Sequence, residues 1–253
     1  MLKINLDGHL ALVTGASTGI GAGTAKALAC AGADVILAGR DVSALERVAA
    51  QVEAEGRKAS LVSADLATLG GVEAVCEHVL TSSRRPLDIL VNNVGASLPT
   101  GLDASDDFWD HAFDLNFSAA RRLTQRFLPS MLEEGWGRVI SVSGSMEPRS
   151  LNAATAAKGA LHLWSKGLSS DVAKEGVTVN CVAPGRITSA QTMERLHPDE
   201  VARARFIETN IPAGRFGEGL EMGYTIAFLA SDLAAYVTGS VIPVDGGMHT
   251  FAH

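Results

Sequence analysis

The stretch Leu10-Ala11-Leu12-Val13-Thr14-Gly15-Ala16-Ser17-Thr18-Gly19-Ile20-Gly21 joins an apolar run to a glycine-rich turn, and a helical run, Ala22–Ala31, follows directly. A continuous rather than alternating apolar run is the pattern of a strand covered on both faces. A chain leaving such a strand for a helix must turn sharply, and a Cβ would obstruct both the turn and the close approach of a phosphate. Gly15, Gly19 and Gly21 meet both needs. The helix then offers free N–H groups and its positive dipole end to an anion. Three glycines alone are weak evidence. Between the first strand and first helix of a doubly wound sheet they mark a site for a dinucleotide pyrophosphate.

That sheet is legible further along the chain. Val35–Ala38, Ser60–Ser63, Ile89–Asn92, Val139–Val142, Val177–Val182 and Val241–Val244 each read as a buried strand like Leu10–Thr14. Leu45, Val48, Ala49 and Val52 fall on one helical face, with Asp41 or Ser43 as the cap and Gly56 as the stop. Strand–helix alternation at this spacing predicts a single-domain α/β fold over residues 1–253. The expected sheet is a doubly wound, Rossmann-type parallel sheet of about seven strands with helices on both faces. No linker, charge block or repeat divides the chain. The least patterned part, Ser189–Gly219, is expected to form a lid-like insertion over the ligand.

Past the glycine turn, an acidic residue at the end of the second strand grips the ribose 2′-hydroxyl of NAD, whereas an arginine accepts the 2′-phosphate of NADP. Here the strand ends Ala38-Gly39-Arg40-Asp41. Arg40 points to NADP(H), with the small Gly39 leaving room for the phosphate. Asp41 keeps NAD(H) possible, although its better use is as a helix cap.

Bulk properties narrow the partners. With 21 basic and 28 acidic residues the net charge is −7, which argues against a nucleic-acid partner. Hydrophobic residues make up 47% of the chain, too many for a disordered one. Cys30, Cys76 and Cys181 are far apart, so neither a disulfide framework nor a metal site is indicated. The N-terminus does not read as a signal peptide, and no apolar run reaches membrane-spanning length. The expectation is a soluble cytoplasmic protein acting on a small molecule, with no membrane role.

These motifs together resemble the short-chain dehydrogenase/reductase family along nearly the whole chain. Thr14, Gly15, Gly19 and Gly21 match its TGxxxGxG turn, whose backbone and small side chains, Ser17 and Ile20 among them, would hold the cofactor. Asp65-Leu66 looks like its adenine-contacting pair, and Asn92-Asn93-Val94-Gly95 is similar to its NNAG motif. Asn116 sits where the family keeps a catalytic asparagine. Asn180, Pro184, Gly185 and Ile187 match the NxxxPGxI segment that faces the nicotinamide, and Ser189 falls where a hydroxyl residue contacts the cofactor. Thr238-Gly239 and Val244-Asp245-Gly246-Gly247 look like its C-terminal signature. The resemblance implies a homotetramer or homodimer, and the tail Met248–His253 is expected to reach a neighbouring subunit's site.

The family's chemistry uses a serine and a tyrosine, with a lysine four residues beyond the tyrosine. Lys158 matches the lysine, which also binds the nicotinamide ribose in the family. The tyrosine position holds Ala154, and the only tyrosines, Tyr224 and Tyr236, are remote in sequence. The loop before Ala154 is three residues shorter than the family pattern, so the serine is Ser141, Ser143 or Ser145. Ser143, directly after the strand, is preferred, and Ser141 is expected to share its side of the strand. Candidates to replace the phenol are Glu147, Arg149, Ser145, Thr155, Lys158 itself or a water beside Ala154. Glu147 and Arg149 otherwise read as a solvated loop pair. The reading is an NADP(H)-dependent oxidoreductase acting by hydride transfer on a small carbonyl, alcohol or imine substrate with a non-standard proton donor. A non-redox lyase, dehydratase or isomerase, or a non-catalytic NADP-binding protein, are the alternatives.

Overall fold

The computed structural model describes residues 3–83, 85–189 and 191–251. Seven strands form one all-parallel sheet in the order β3-β2-β1-β4-β5-β6-β7. They are β1 (Leu10–Thr14), β2 (Asp34–Gly39), β3 (Ala59–Ser63), β4 (Ile89–Asn92), β5 (Gly137–Val142), β6 (Val177–Pro184) and β7 (Val241–Val244). The helices between them are α1 (Gly19–Cys30), α2 (Val42–Ala54), α3 (Leu69–Ser82), α4 (Asp106–Phe113), α5 (Ala119–Glu134), α6 (Ala153–Val172), α7 (Glu200–Asn210) and α8 (Gly219–Ala230).

Continuous apolar strands divide their side chains between two cores. Ala11, Val13, Val35 and Leu37 pack with α1, α2 and α8 on one face. Leu10, Leu12, Ile36 and Ala38 pack with α3 and α5 on the other. This is the period-two alternation of a strand, with both sets apolar because both faces are covered. The edge strands depart from the expectation of full burial. β3 is half-buried along most of its length, and Val241 on β7 is 44% exposed. Each edge strand has a strand neighbour on one side only.

The chain winds outward from β1 to β3 and then crosses back to β4 on the other side of β1, where Ala11 pairs with Ile89 and Val13 with Val91. Such a reversal opens a crevice at the carboxyl ends of the strands, where open α/β sheets bind ligands. The long connection from β6 to α8 is pinched at its base. Ile187 and Gly217 form a parallel bridge, Thr188 N–H donates to Gly217 O (2.8 Å) and Gly217 N–H donates to Arg186 O (2.9 Å). No helix among the described residues is long and apolar enough to cross a membrane.

Candidate active site

A cavity of about 810 Å³ runs along that crevice. At its β1–α1 end the wall is mostly backbone. Gly15 has φ +62°, and a Cβ on Gly21 would lie 2.1 Å from Gly15 O, so the turn closes only without that atom. The cap of α1, Thr18, makes no side-chain bond to the helix, leaving the N-terminal N–H groups to the cavity that Ser17, Gly19 and Ile20 line. Thr14 joins the turn to β4: its hydroxyl donates to Val91 O (3.2 Å) and accepts from the N–H groups of Asn93 (2.9 Å) and Val94 (3.0 Å). Asn93 Nδ2 returns the contact by donating to Thr14 O (2.8 Å) and Gly15 O (3.0 Å).

Arg40 lines this end and is exposed, and among the described residues its guanidinium has no hydrogen bond or ion pair. Asp41 caps α2, accepting from Ala44 N–H at 3.0 Å, and that bond holds its pKa below the usual carboxylate value. Gly39 lines the same end, and a Cβ there would lie 2.5 Å from Ser17 Oγ, so the turn hydroxyl also needs its small size. Asp65 and buried Leu66 line the same end. Asn92 does not. Its side chain turns under the sheet and donates to Thr124 Oγ1 on α5 (3.2 Å), because successive residues at the strand end face opposite ways and the cavity side falls to Asn93.

At the far end, side chains from separate elements converge. Asn116 is 1% exposed and lies in a π-helical turn, Asp114–Ser118, between α4 and α5. Its Nδ2 donates to Ala112 O (3.0 Å) and its Oδ1 accepts from Ala96 N–H (3.1 Å), fixing the strand-end loop. Gly95 on that loop has no room for a side chain: a Cβ would lie 2.8 Å from Asn116 Oδ1 and 3.1 Å from Lys158 Nζ. Lys158, from α6, is buried and donates to Val142 O at 2.7 Å. Burial pushes its pKa down to about 8, and the nearby Cys181 only partly opposes that. Asn152 starts α6, accepting from Ala154 N–H (3.0 Å) and Leu98 N–H (3.2 Å). Sequence reasoning passed over it, although an asparagine just before an apolar run is a recognisable cap.

Ser143, Gly144 and Ser145 line the cavity, and so do Ala154 and Thr155. Ser143 Oγ lies 3.3 Å from Val182 O. Ser141 is fully buried with no hydrogen-bond partner for its hydroxyl and is not on the wall. β5 ends at Val142, so the strand alternation that would align Ser141 with Ser143 stops between them. Neither Tyr224, 57% exposed on α8, nor Tyr236, fully exposed, lines the cavity.

Glu147 and Arg149 are not a pair. Glu147 accepts the backbone N–H groups of Thr250 (2.8 Å) and Phe251 (3.0 Å), which hold its pKa below the usual carboxylate value. Arg149 Nη1 donates to Asn210 Oδ1 at the end of α7 (2.7 Å). The loop after β5 is thus tied to the chain's own tail and to the β6–α8 excursion, contacts that no local pattern announces. Of the tail expected to reach another subunit, residues 252 and 253 lie outside the described residues. Met248 lines this chain's own cavity, and Asp245 holds His249 through Nδ1 (2.7 Å) and the backbone N–H (2.9 Å). Pro184, Gly185, Ile187 and Ser189 line the middle of the cavity, with Ser189 Oγ accepting from Thr192 N–H (3.2 Å). Thr192, Leu196, Phe206 and Asn210 of the excursion complete the wall.

Residues 15–249 match the family model described as Enoyl-(Acyl carrier protein) reductase. The 3-oxoacyl-[acyl-carrier-protein] reductase FabG of Pseudomonas aeruginosa is 37% identical over 250 residues, covering 97% of this chain and 99% of that one. The 2-dehydro-3-deoxy-D-gluconate 5-dehydrogenase of Bacillus subtilis is 36% identical over 247 residues, covering 96% and 95%. L-sorbose reductase from Gluconobacter frateurii, solved with NADPH and L-sorbose, superposes with a TM-score of 0.92 at 32% identity, covering 99% of this chain and 100% of that one.

Proposed function

Because the chain belongs to the short-chain dehydrogenase/reductase family of NAD(P)-dependent oxidoreductases, we propose that it reduces a small carbonyl compound with NADPH and draws the proton from Lys158. The observation that carries this reading is Lys158 itself: an ammonium buried on the cavity wall, near Gly95 and one helical turn from Ala154, with a pKa lowered to about 8. A general acid works best when its pKa lies near the operating pH, and burial brings Lys158 there without a phenol.

The residues at the β1–α1 end fit NADP(H). The open N-terminus of α1 and the turn at Gly15 suit the pyrophosphate, the unpaired Arg40 suits a 2′-phosphate, and Asp65 and Leu66 border the adenine position. L-sorbose reductase, the neighbour noted above, is solved with NADPH. A reduced nicotinamide, when bound, supplies the hydride. Pro184, Gly185 and Ile187 would orient it, and Ser189 would help hold it.

Lys158 Nζ spends one proton on Val142 O, which leaves two to direct into the cavity. As negative charge develops on the substrate oxygen, the ammonium stabilises it and passes it a proton, directly or through one water beside Ala154. The free amine then regains a proton from solvent. Ser143 Oγ donates to Val182 O (3.3 Å) and would turn that hydroxyl toward the cavity to hold the carbonyl oxygen, while Asn116 fixes the loop at Gly95 beside Lys158. Glu147 is a poor acid because two amides favour its ionised form. The Ser189–Gly219 stretch, whose described residues include Thr192, Leu196 and Phe206 on the cavity wall and which is tied back by the Ile187–Gly217 bridge, would cover the substrate as a lid.

The test is loss of reduced-cofactor absorbance with NADPH and a panel of ketones, keto acids and imines. Turnover is expected to decline as pH rises past about 8, where Lys158 loses its proton, and Lys158→Met should remove that decline along with most of the rate. Tight NADPH binding without turnover above background on any substrate would overturn the reading.

A further inference from the structure

Arg186 follows the Pro184-Gly185 turn at the end of β6 and lines the cavity. Its Nε donates to His197 Nε2 (3.1 Å), and its guanidinium carbon lies 5.5 Å from the centroid of the Phe206 ring. Among the described residues no carboxylate is within ion-pair distance of it, and Nη1 and Nη2 have no hydrogen-bond partner. Arg138, the more deeply buried guanidinium, is furnished differently: Asp232 at 3.1 Å and the carbonyls of Gly137 (2.9 Å) and Gly176 (3.2 Å) take its Nη1 and Nη2 donors, leaving only Nε without a partner. A desolvated guanidinium without a counter-ion is costly unless something else supplies the charge. Burial depresses the Arg186 pKa, and no neighbouring acid raises it back.

The surroundings hold the fork in place without neutralising it. His197 packs between Phe206 and Phe216 (4.5 and 5.3 Å), and Arg203 Nη1 donates to its carbonyl (3.1 Å). Burial and the charges of Arg186 and Arg203 keep the imidazole pKa low, so His197 stays neutral and accepts from Arg186. Arg149 adds a second cation to this end of the wall. Glu147, the nearest acidic residue of the wall in sequence, has its carboxylate committed to the tail amides.

We propose that Arg186 binds an anionic group of the substrate, a carboxylate, through its free Nη1–Nη2 edge, so that the protein acts on a keto or hydroxy acid. A planar fork with two parallel donors suits a carboxylate, and the Phe206 ring holds its plane. The substrate class rests on the reductase reading; the anion site does not.

The test compares pyruvate, acetoacetate and levulinate, each with its methyl ester, in wild type and Arg186→Met. The variant should lower the acid-to-ester ratio of kcat/KM by about 10- to 100-fold, the range of a lost charge-assisted pair. NADPH affinity, read by fluorescence, should stay within about twofold. An unchanged ratio overturns the proposal. So does weaker NADPH binding with the ratio intact, which would assign Arg186 to the cofactor's pyrophosphate. Where no compound is turned over, calorimetry of the same acids and esters on the NADPH complex decides: selective binding of an acid, lost in the variant, supports the anion site although the reductase reading fails. Binding of no acid, or of acid and ester alike, overturns it. Should Arg186→Met not fold, Arg186→Lys keeps the charge without the fork and should lower the ratio less; no change there also counts against the proposal.

Discussion

At the β1–α1 end of the cavity the wall is built largely by backbone: a left-handed glycine, a helix N-terminus, and carbonyls and amides stitched together by Thr14 and Asn93. At the other end, between Lys158 and the excursion that carries α7, it is built by side chains that reach across long sequence separations. Arg149 meets Asn210, Glu147 meets Thr250 and Phe251, and Arg186 meets His197 and Phe206. A backbone site accepts only a few sequences and tolerates no added atoms. A side-chain site can change its charge and acid–base chemistry while the fold beneath stays the same. The difference teaches that the backbone end is constrained by packing while the side-chain end, where Ala154 lines the wall, is free to vary its chemistry.

Substitutions at the two ends should separate accordingly. The largest effect is expected from Gly21→Val, because even its Cβ would lie 2.1 Å from Gly15 O. NADPH binding should be lost, and stability should fall by about 1–3 kcal/mol as the turn is pushed open. Fluorescence titration and chemical denaturation would show this, and near-normal binding would mean that the backbone end is more compliant than its packing indicates.

Next comes Lys158→Met, which should reduce kcat by about 10²–10⁴-fold, the usual contribution of a positioned general acid. It has a signature in stability as well. Folding lowers the Lys158 pKa from 10.5 to about 8, so between those values the unfolded chain binds more protons and stability rises with pH. The variant should lack that rise. His162 and Cys181 face the same ammonium and its charge acts to lower both their pKa values, so their titration shifts when the lysine is removed. Denaturation across pH in wild type and variant reads the lysine together with these two coupled groups.

Asn116→Ala tests whether the strand-end loop depends on one side chain. Leaving Ala96 N–H without its acceptor should cost about 1–3 kcal/mol. Activity should fall with it, because the loop at Gly95 borders Lys158. The smallest effect belongs to Glu147→Gln. The tail amides should exchange hydrogen faster in this variant at neutral pH while NADPH binding is unaltered. In wild type the amides hold the carboxylate pKa below 4.5, so the contact is present above the ordinary glutamate range and is lost only as pH falls through that lowered value. Exchange mass spectrometry of the tail reads both. Faster NADPH release instead would show that the two ends are coupled.

Much of the fold was readable from local pattern. The bounds of β1, β4 and β7 coincide with the apolar runs, and Asp41 caps α2 as its position suggests. Parts of the cavity wall were readable too, since the glycine turn and Arg40, both short-range signals, line it. Asn92, in the NNAG-like stretch, faces away from the cavity because neighbouring asparagines at a strand end face opposite sides, and only packing tells which side is the cavity. Glu147 and Arg149 were misread as partners because adjacency in a loop looks like pairing, whereas each had a better partner more than fifty residues away.

What the sequence determined by itself is the parallel sheet, the tight glycine turn and the absence of a tyrosine near Lys158 in the chain, because each rests on periodicity, on backbone conformation or on a residue being present at all. What only the tertiary structure decided is the chemistry of the reactive end. Whether Lys158 is solvated or buried, whether Arg186 has a counter-ion, and whether Glu147 is free to give a proton depend on what the fold brings within a few ångströms. Desolvation and pairing are properties of that surrounding, and one-dimensional spacing does not carry them.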